Sequence, residues 1–267
     1  MIATRAGTVR DEKMLGRGDA EFFAAGRAPC VVAFHGFGGT AAELRPLLDR
    51  IAGRGFAVDA ALLPGHGRRV EDLQDRTFRE WANFGHDRAS AARQRHGRVV
   101  LLGFSLGTLV AMQIAGERAE GLAGLVVLGN AITLAPSSRV PLGLIDRLGV
   151  RVPDLYLVKP KAGDLVDERA MGTLLSYDRH PLRSALEVYR AGREIRRVVQ
   201  RIEAPMLILH GRRDRVCSWR NAPWLAAHVG SRDVSVRLFE HSGHVLACDG
   251  EWAAVADEVL AFLSRLA

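Results

Sequence analysis

The feature that most restricts this chain is a series of short, nearly uninterrupted apolar runs. Cys30–Phe34 (CVVAF), Ala57–Leu63, Val99–Leu102 (VVLL), Gly124–Leu128 (GLVVL) and Met206–Leu209 (MLIL) have the length of strands, and little polar alternation breaks them. A strand that is apolar at every position has both faces covered, the condition of a parallel sheet between two helical layers. Ser235–Phe239 adds a weaker strand in which polar and apolar residues alternate. Amphipathic helical patterns fill the intervals. Two of them open with the capping-box spacing, Thr40-Ala-Ala-Glu43 and Thr77-Phe-Arg-Glu80, and Glu251–Leu266 closes the chain with Trp252, Val255, Val259, Leu260 and Leu263 as its apolar positions. This alternation predicts an α/β fold with a doubly wound, mostly parallel sheet.

One interval breaks the rhythm. Residues 131–205 separate the run ending near Asn130 from Met206, whereas a parallel crossover needs only about 10–25 residues. The excess is punctuated by Pro136, Pro141, Pro153, Pro160 and Pro181 and is apolar at Leu142, Leu144, Ile145, Leu148 and Val150. A long structureless loop is uncommon inside a compact domain. We therefore expect residues 131–200 to form a small helical cap inserted into one core domain made of 1–130 and 201–267.

Charge narrows the range of partners. The formal net charge is +7, carried mostly by arginines that are dispersed along the chain. A nucleic-acid binder concentrates such charge on one element with aromatics interleaved, so no nucleic-acid partner is expected. Weak attraction of this surface to anionic lipid headgroups is the milder consequence. Cys30, Cys217 and Cys248 are too few and too scattered for a disulfide framework or a paired-cysteine zinc site, and Cys30 has the setting of a small core residue. No stretch reaches 18 apolar residues and the first twenty contain no apolar signal core, so the expectation is a cytoplasmic protein with no membrane span. Oligomeric state is not encoded in any of these features.

The chemistry centres on Gly103-Phe104-Ser105-Leu106-Gly107, placed between the strand Val99–Leu102 and the helical run Thr108–Ala115. A serine on such a strand-to-helix turn is lifted clear of the sheet, and the helix amides point at the reacting centre. Gly103 and Gly107 remove side chains that would collide in the tight turn. Chance glycines around an ordinary serine are the competing interpretation, and the strand–turn–helix context weighs against it.

A serine hydroxyl needs a base within hydrogen-bond reach. Along chains with this turn, the order is nucleophile, acid, histidine. The downstream histidines are His180, His210, His228, His241 and His244. His244, in Ser242-Gly243-His244 between the last strand and the final helix, is the expected base, with His241 its competitor. His210-Gly211-Arg212-Arg213-Asp214 leaves the strand Met206–Leu209, which makes Asp214 the expected acid ahead of Asp233 and Asp249. Such a carboxylate holds the imidazole in its productive tautomer. The run His35-Gly36-Phe37-Gly38-Gly39 after the first buried strand offers backbone N–H groups, so the amides of Phe37 and Leu106 are the expected oxyanion hole. It lacks the lysine and hydroxyl of a phosphate loop and the third glycine of a dinucleotide fingerprint. His35 is expected to brace that turn.

HGFGGT at 35–40, LPGHG at 63–67, GFSLG at 103–107, HGRRD at 210–214 and SGH at 242–244 together resemble the α/β-hydrolase superfamily over nearly the whole chain. The N-terminal stretch through LPGHG is similar to small bacterial carboxylesterases and monoacylglycerol lipases, some of which share the pattern His244-Val…Asp249. The resemblance implies a serine hydrolase of carboxylic esters working through an acyl-enzyme, with a small acyl ester or monoacylglycerol as substrate and neither metal nor organic cofactor. A thioesterase, a lactonase or a carbon–carbon bond hydrolase would use the same residues, and a binding protein that keeps the triad without turnover is the reading from another class.

Overall fold

The computed structural model describes residues 3–5, 20–117, 120–149, 152–158, 164–167 and 176–267. In chain order, the first half contains strands β1 (Ala3–Arg5), β2 (Phe22–Ala24) and β3 (Arg27–Phe34), helix α1 (Arg45–Gly53), β4 (Phe56–Ala60), α2 (Phe78–His96), β5 (Val99–Phe104), α3 (Leu106–Gly116) and β6 (Leu122–Leu128). The second half contains α4 (Pro136–Leu148), β7 (Leu155–Val158), β8 (Arg179–Pro181), α5 (Leu182–Val198), β9 (Met206–Gly211), α6 (Asn221–His228), β10 (Val234–Phe239) and α7 (Trp252–Leu266).

Seven strands form one sheet in the order β10-β9-β6-β5-β3-β4-β2, parallel throughout except for β2, which runs antiparallel to β4 at the edge. Alternate residues of each strand feed opposite faces. Val32, Phe34, Leu101, Val127 and Ile208 face α2, α3 and α5, while Val31, Ala33, Leu102, Val126 and Leu209 face α1 and α7. This is why the strand sequences show no alternation: both sides are interior, and each fully buried leucine or valine stabilises the fold by roughly 1.5–3 kcal/mol. All six runs read as strands lie in this sheet. The second is shorter than its apolar stretch, ending at Ala60. Leu62 and Leu63 instead enter a turn with positive φ at Gly65 and Gly67.

The helix starts divide. At Thr77 the capping box is formed in both directions with Glu80. At Thr40 the pattern differs: the hydroxyl accepts from the Ala42 amide, and the buried Glu43 carboxylate takes the Gly36 amide. Glu43 is thus used to hold a neighbouring loop.

Packing crosses the limits of residues 131–200 in both directions. Strand β7 pairs antiparallel with β8 and with β1, making a separate three-stranded sheet that the N-terminal strand completes. Helix α5 buries Val188, Ala191 and Ile195 in the core cluster on the α2–α3 face. Its other contacts run to α4 through a small cluster of Leu142, Leu182, Ala185 and Leu186. Val140, Leu144 and Leu148, spaced four apart on α4, remain exposed. Among the described residues no helix is long and apolar enough to cross a membrane.

Candidate active site

Ser105 sits between β5 and α3 with φ +51° and ψ −115°. A non-glycine residue in the left-handed half of the map costs on the order of 1–3 kcal/mol and persists only where its surroundings hold it. Here they do. The Ser105 amide donates to Leu128 O at 3.0 Å, and its carbonyl accepts from the Thr108 amide at 2.9 Å and the Thr108 hydroxyl at 2.6 Å. A Cβ on Gly103 would strike the Gly107 carbonyl, and one on Gly107 would strike that of Phe34. Both glycines are therefore set by close backbone approach.

Three loops at the ends of parallel strands converge on the serine. His244, in the loop after β10, lies with Nε2 2.9 Å from Ser105 Oγ. Its Nδ1 donates to Asp214 Oδ2 at 2.8 Å. Asp214 follows β9, and its Oδ1 accepts the Val216 and Cys217 amides at 2.8 and 2.7 Å. The structure thus joins Ser105, His244 and Asp214 in one relay.

Burial works to raise the Asp214 carboxyl, but the charge and N–H of His244, with His210, outweigh it and hold the group well below the usual carboxylate range. Burial pushes the His244 ring down, and the Asp214 carboxylate, helped by Asp164 and Glu43, more than reverses this, so the net direction is up. Desolvation alone would leave a weak base beside the serine; the acid restores its basicity.

The glycine-rich turn follows β3. The Gly39 amide closes on Gly36 O at 3.2 Å, Gly38 has φ +71°, and the Glu43 carboxylate takes the Gly36 amide. His35 braces it as expected: Nδ1 donates to Gly36 O at 2.9 Å and Nε2 accepts the Leu63 amide at 3.0 Å. Burial lowers the ring to about 4, so it stays neutral in that role. The amides of Phe37 and Leu106 have no acceptor among the described residues.

The competing residues lie elsewhere. His241 accepts from Arg213 at the surface and Asp233 pairs with Arg265 at 2.6 Å. His228 caps its own helix by donating to Trp224 O. Asp249 is fully buried and accepts the amides of Gly243, Val166, Asp167 and Gly250. Asp164 accepts the His244 amide through both its carbonyl, at 2.9 Å, and its carboxylate, at 3.1 Å, and also takes the Arg215 amide. Sequence reasoning missed Asp164 and the second histidine on Asp214, His210. The Asp164 contacts join distant chain segments that no local pattern signals, whereas the His210 contact is local and its i, i+4 spacing in HGRRD was visible. Asp214, Cys217 and His244 also offer donor atoms within 4.8 Å of one another. Burial raises the Cys217 thiol well above its ordinary value, and the other two are already bonded together, so the set is not that of an open metal site.

A mostly parallel sheet with helices on both faces and a serine on its strand-to-helix turn defines the α/β-hydrolase class, and the chain is an ester hydrolase of that class. It belongs to the Hydrolase_4 family, described as serine aminopeptidase, S33, whose profile matches residues 27–251. It is 26% identical over 255 residues to a thermostable monoacylglycerol lipase of Bacillus sp. (strain H-257), covering 92% of this chain and 95% of that one. It is 21% identical over 237 residues to a carboxylesterase of Bacillus subtilis (strain 168), covering 88% and 92%. Among solved structures it is similar to a metagenome-derived lipolytic enzyme, with a TM-score of 0.84, 22% identity and 93% and 98% of the two chains covered.

Proposed function

We propose that the chain hydrolyses small carboxylic esters, monoacylglycerols among them, with Ser105 as nucleophile, His244 as base and Asp214 as its acid partner. The observation that carries this reading is the unbroken relay of 2.9 and 2.8 Å from Ser105 Oγ through His244 to Asp214, built on a serine held at positive φ. As Ser105 Oγ attacks the acyl carbon, His244 Nε2 takes its proton and the carbonyl oxygen becomes an oxyanion. The amides of Phe37 and Leu106 donate to it, each contributing on the order of 3 kcal/mol. His244 then hands the proton to the departing alcohol, which leaves an acyl-serine. A water enters, gives a proton to His244 and attacks the same carbon; the acid departs and Ser105 is restored.

The 131–200 insertion acts as the cap over this site. Its support is the low exposure of Ser105 and His244, together with the insertion's hold on the catalytic loops through Asp164 and through the Tyr177 amide on Gly38 O. The exposed row Val140, Leu144 and Leu148, flanked by Arg139 and Arg147, suits weak contact with a lipid surface that presents such substrates.

The test is a panel of monoacylglycerols and p-nitrophenyl esters of graded chain length, with matched acyl thioesters, run beside Ser105→Ala. Release of fatty acid that stops in the variant is the expected result. No turnover of any ester overturns the reading, and faster thioester turnover redirects it. The reaction needs neutral His244, whose ring is shifted upward. kcat/KM should therefore fall on the acid side through a pKa above the ordinary histidine value of about 6.5. A flat profile between pH 5 and 8 would count against a histidine base.

A further inference from the structure

Asp214 Oδ2 receives two histidines, not one. His244 Nδ1 approaches at 2.8 Å and His210 Nε2 at 2.9 Å, and the side chains of Asp214 and His210 are both fully buried. His210 is the fifth residue of β9, and Asp214 lies beyond the turn that follows it. Because a carboxylate only accepts, His210 presents Nε2–H, and its buried Nδ1 has no hydrogen-bond partner among the described residues.

Resting on the triad reading above, we propose that His210 is a positioning residue of the reaction: its Nε2–H fixes the Asp214 carboxylate and divides the charge of Oδ2 between two imidazoles. The remaining acceptor, Oδ1, is held by the Val216 and Cys217 amides, so every hydrogen-bonding direction of the acid is assigned. The division has a direction. An oxygen that already accepts a hydrogen bond from one N–H is a weaker partner for a second, so His210 makes His244 less basic than a lone aspartate would. The other charges facing His244, Asp164 and Glu43, act to raise it. Because His210 lies beneath Asp214, without exposure, it bears on turnover and not on substrate binding.

The experiment compares His210→Met, His210→Gln and Ser105→Ala, each as the full chain, by pH profiles of kcat and kcat/KM on one p-nitrophenyl ester. Methionine keeps the volume and removes the donor; glutamine places an amide N–H where Nε2 stood. In His210→Met we expect the acid limb to move up by about 0.5–1 pH unit and kcat to fall about tenfold, with KM unchanged. His210→Gln should restore most of both. A methionine variant whose limb stays in place, or a glutamine variant no better than methionine, overturns the proposal and leaves His210 as packing. Activity surviving in Ser105→Ala overturns the triad reading instead, and the proposal with it. Should His210→Met fail to fold, an acid limb in His210→Gln displaced upward by a full unit overturns the proposal, and one close to that of the unaltered chain supports it.

Discussion

The sheet core and the insertion combine apolar burial and hydrogen bonding in different proportions. In the core, strands β3, β5, β6 and β9 are buried along nearly their whole length and two hydrophobic clusters fill both faces. In the insertion, helix α5 joins the core cluster through Val188, Ala191 and Ile195, but the segment's own apolar cluster is small and further attachment is polar. Tyr177 donates to Arg69 O and accepts the Arg68 amide, Ser184 donates to Leu73 O, and Asp146 holds Arg190 and Arg193. Apolar burial is non-directional and tolerates sliding, whereas a hydrogen bond holds one partner at one place. The core is thus held mainly by burial, while hydrogen bonds from Tyr177 and Ser184 fix where this segment sits against residues 68–73.

The largest blow to this contrast would come from Ser105→Ala. It should lower kcat by at least about 10,000-fold while the melting temperature barely moves. A variant that unfolds would mean the elbow is a folding element first. Next, Gly107→Ala sets a methyl against the Phe34 carbonyl and should cost about 3 kcal/mol of stability, read by urea unfolding. If it is neutral, the turn is looser than its contacts indicate. Asp249→Asn lies on the seam, exchanging an acceptor of four amides for a group that is half donor. We expect a loss of about 2 kcal/mol and a fall in kcat of about tenfold, a mixed outcome that neither the core nor a surface site would give. The smallest effect belongs to Asp146→Asn, which breaks two bridges to exposed arginines. It should cost under about 1 kcal/mol and less still in high salt. A larger cost would move the insertion toward the core's kind of stability.

Legibility in the sequence follows the same divide. Runs such as VVLL and MLIL identify strands because continuous apolarity at that length has few other structural outcomes. Strands β2, β7 and β8 have only three or four residues, and their pairing depends on distant partners that no window of sequence contains. Helix α5 was legible as a helix-bearing part of the insertion, but not its burial against the core, since an apolar stripe does not name what it faces. The spacing at Thr40 fits a capping box; that the buried Glu43 carboxylate also takes the Gly36 amide is a contact no spacing announces. At the site, motif order was enough to single out Ser105, Asp214 and His244 as neighbours. The supporting contacts of His210, Asp164 and Asp249 were not, since they depend on how loops settle after the strands are placed.

The loop that bears His244 hangs from β10, an edge strand that pairs only with β9 among the described residues and leaves Ser235, Val236 and Arg237 exposed. Outer strands open at lower free energy than central ones, independently of global unfolding. On warming, the imidazole would part from Ser105 while the middle of the sheet is still closed. Turnover would fade before circular dichroism registers any melting, and it would return on cooling. On the triad reading, the expected ceiling on working temperature is the fraying of this edge strand, checked by comparing the loss of turnover with the melting curve.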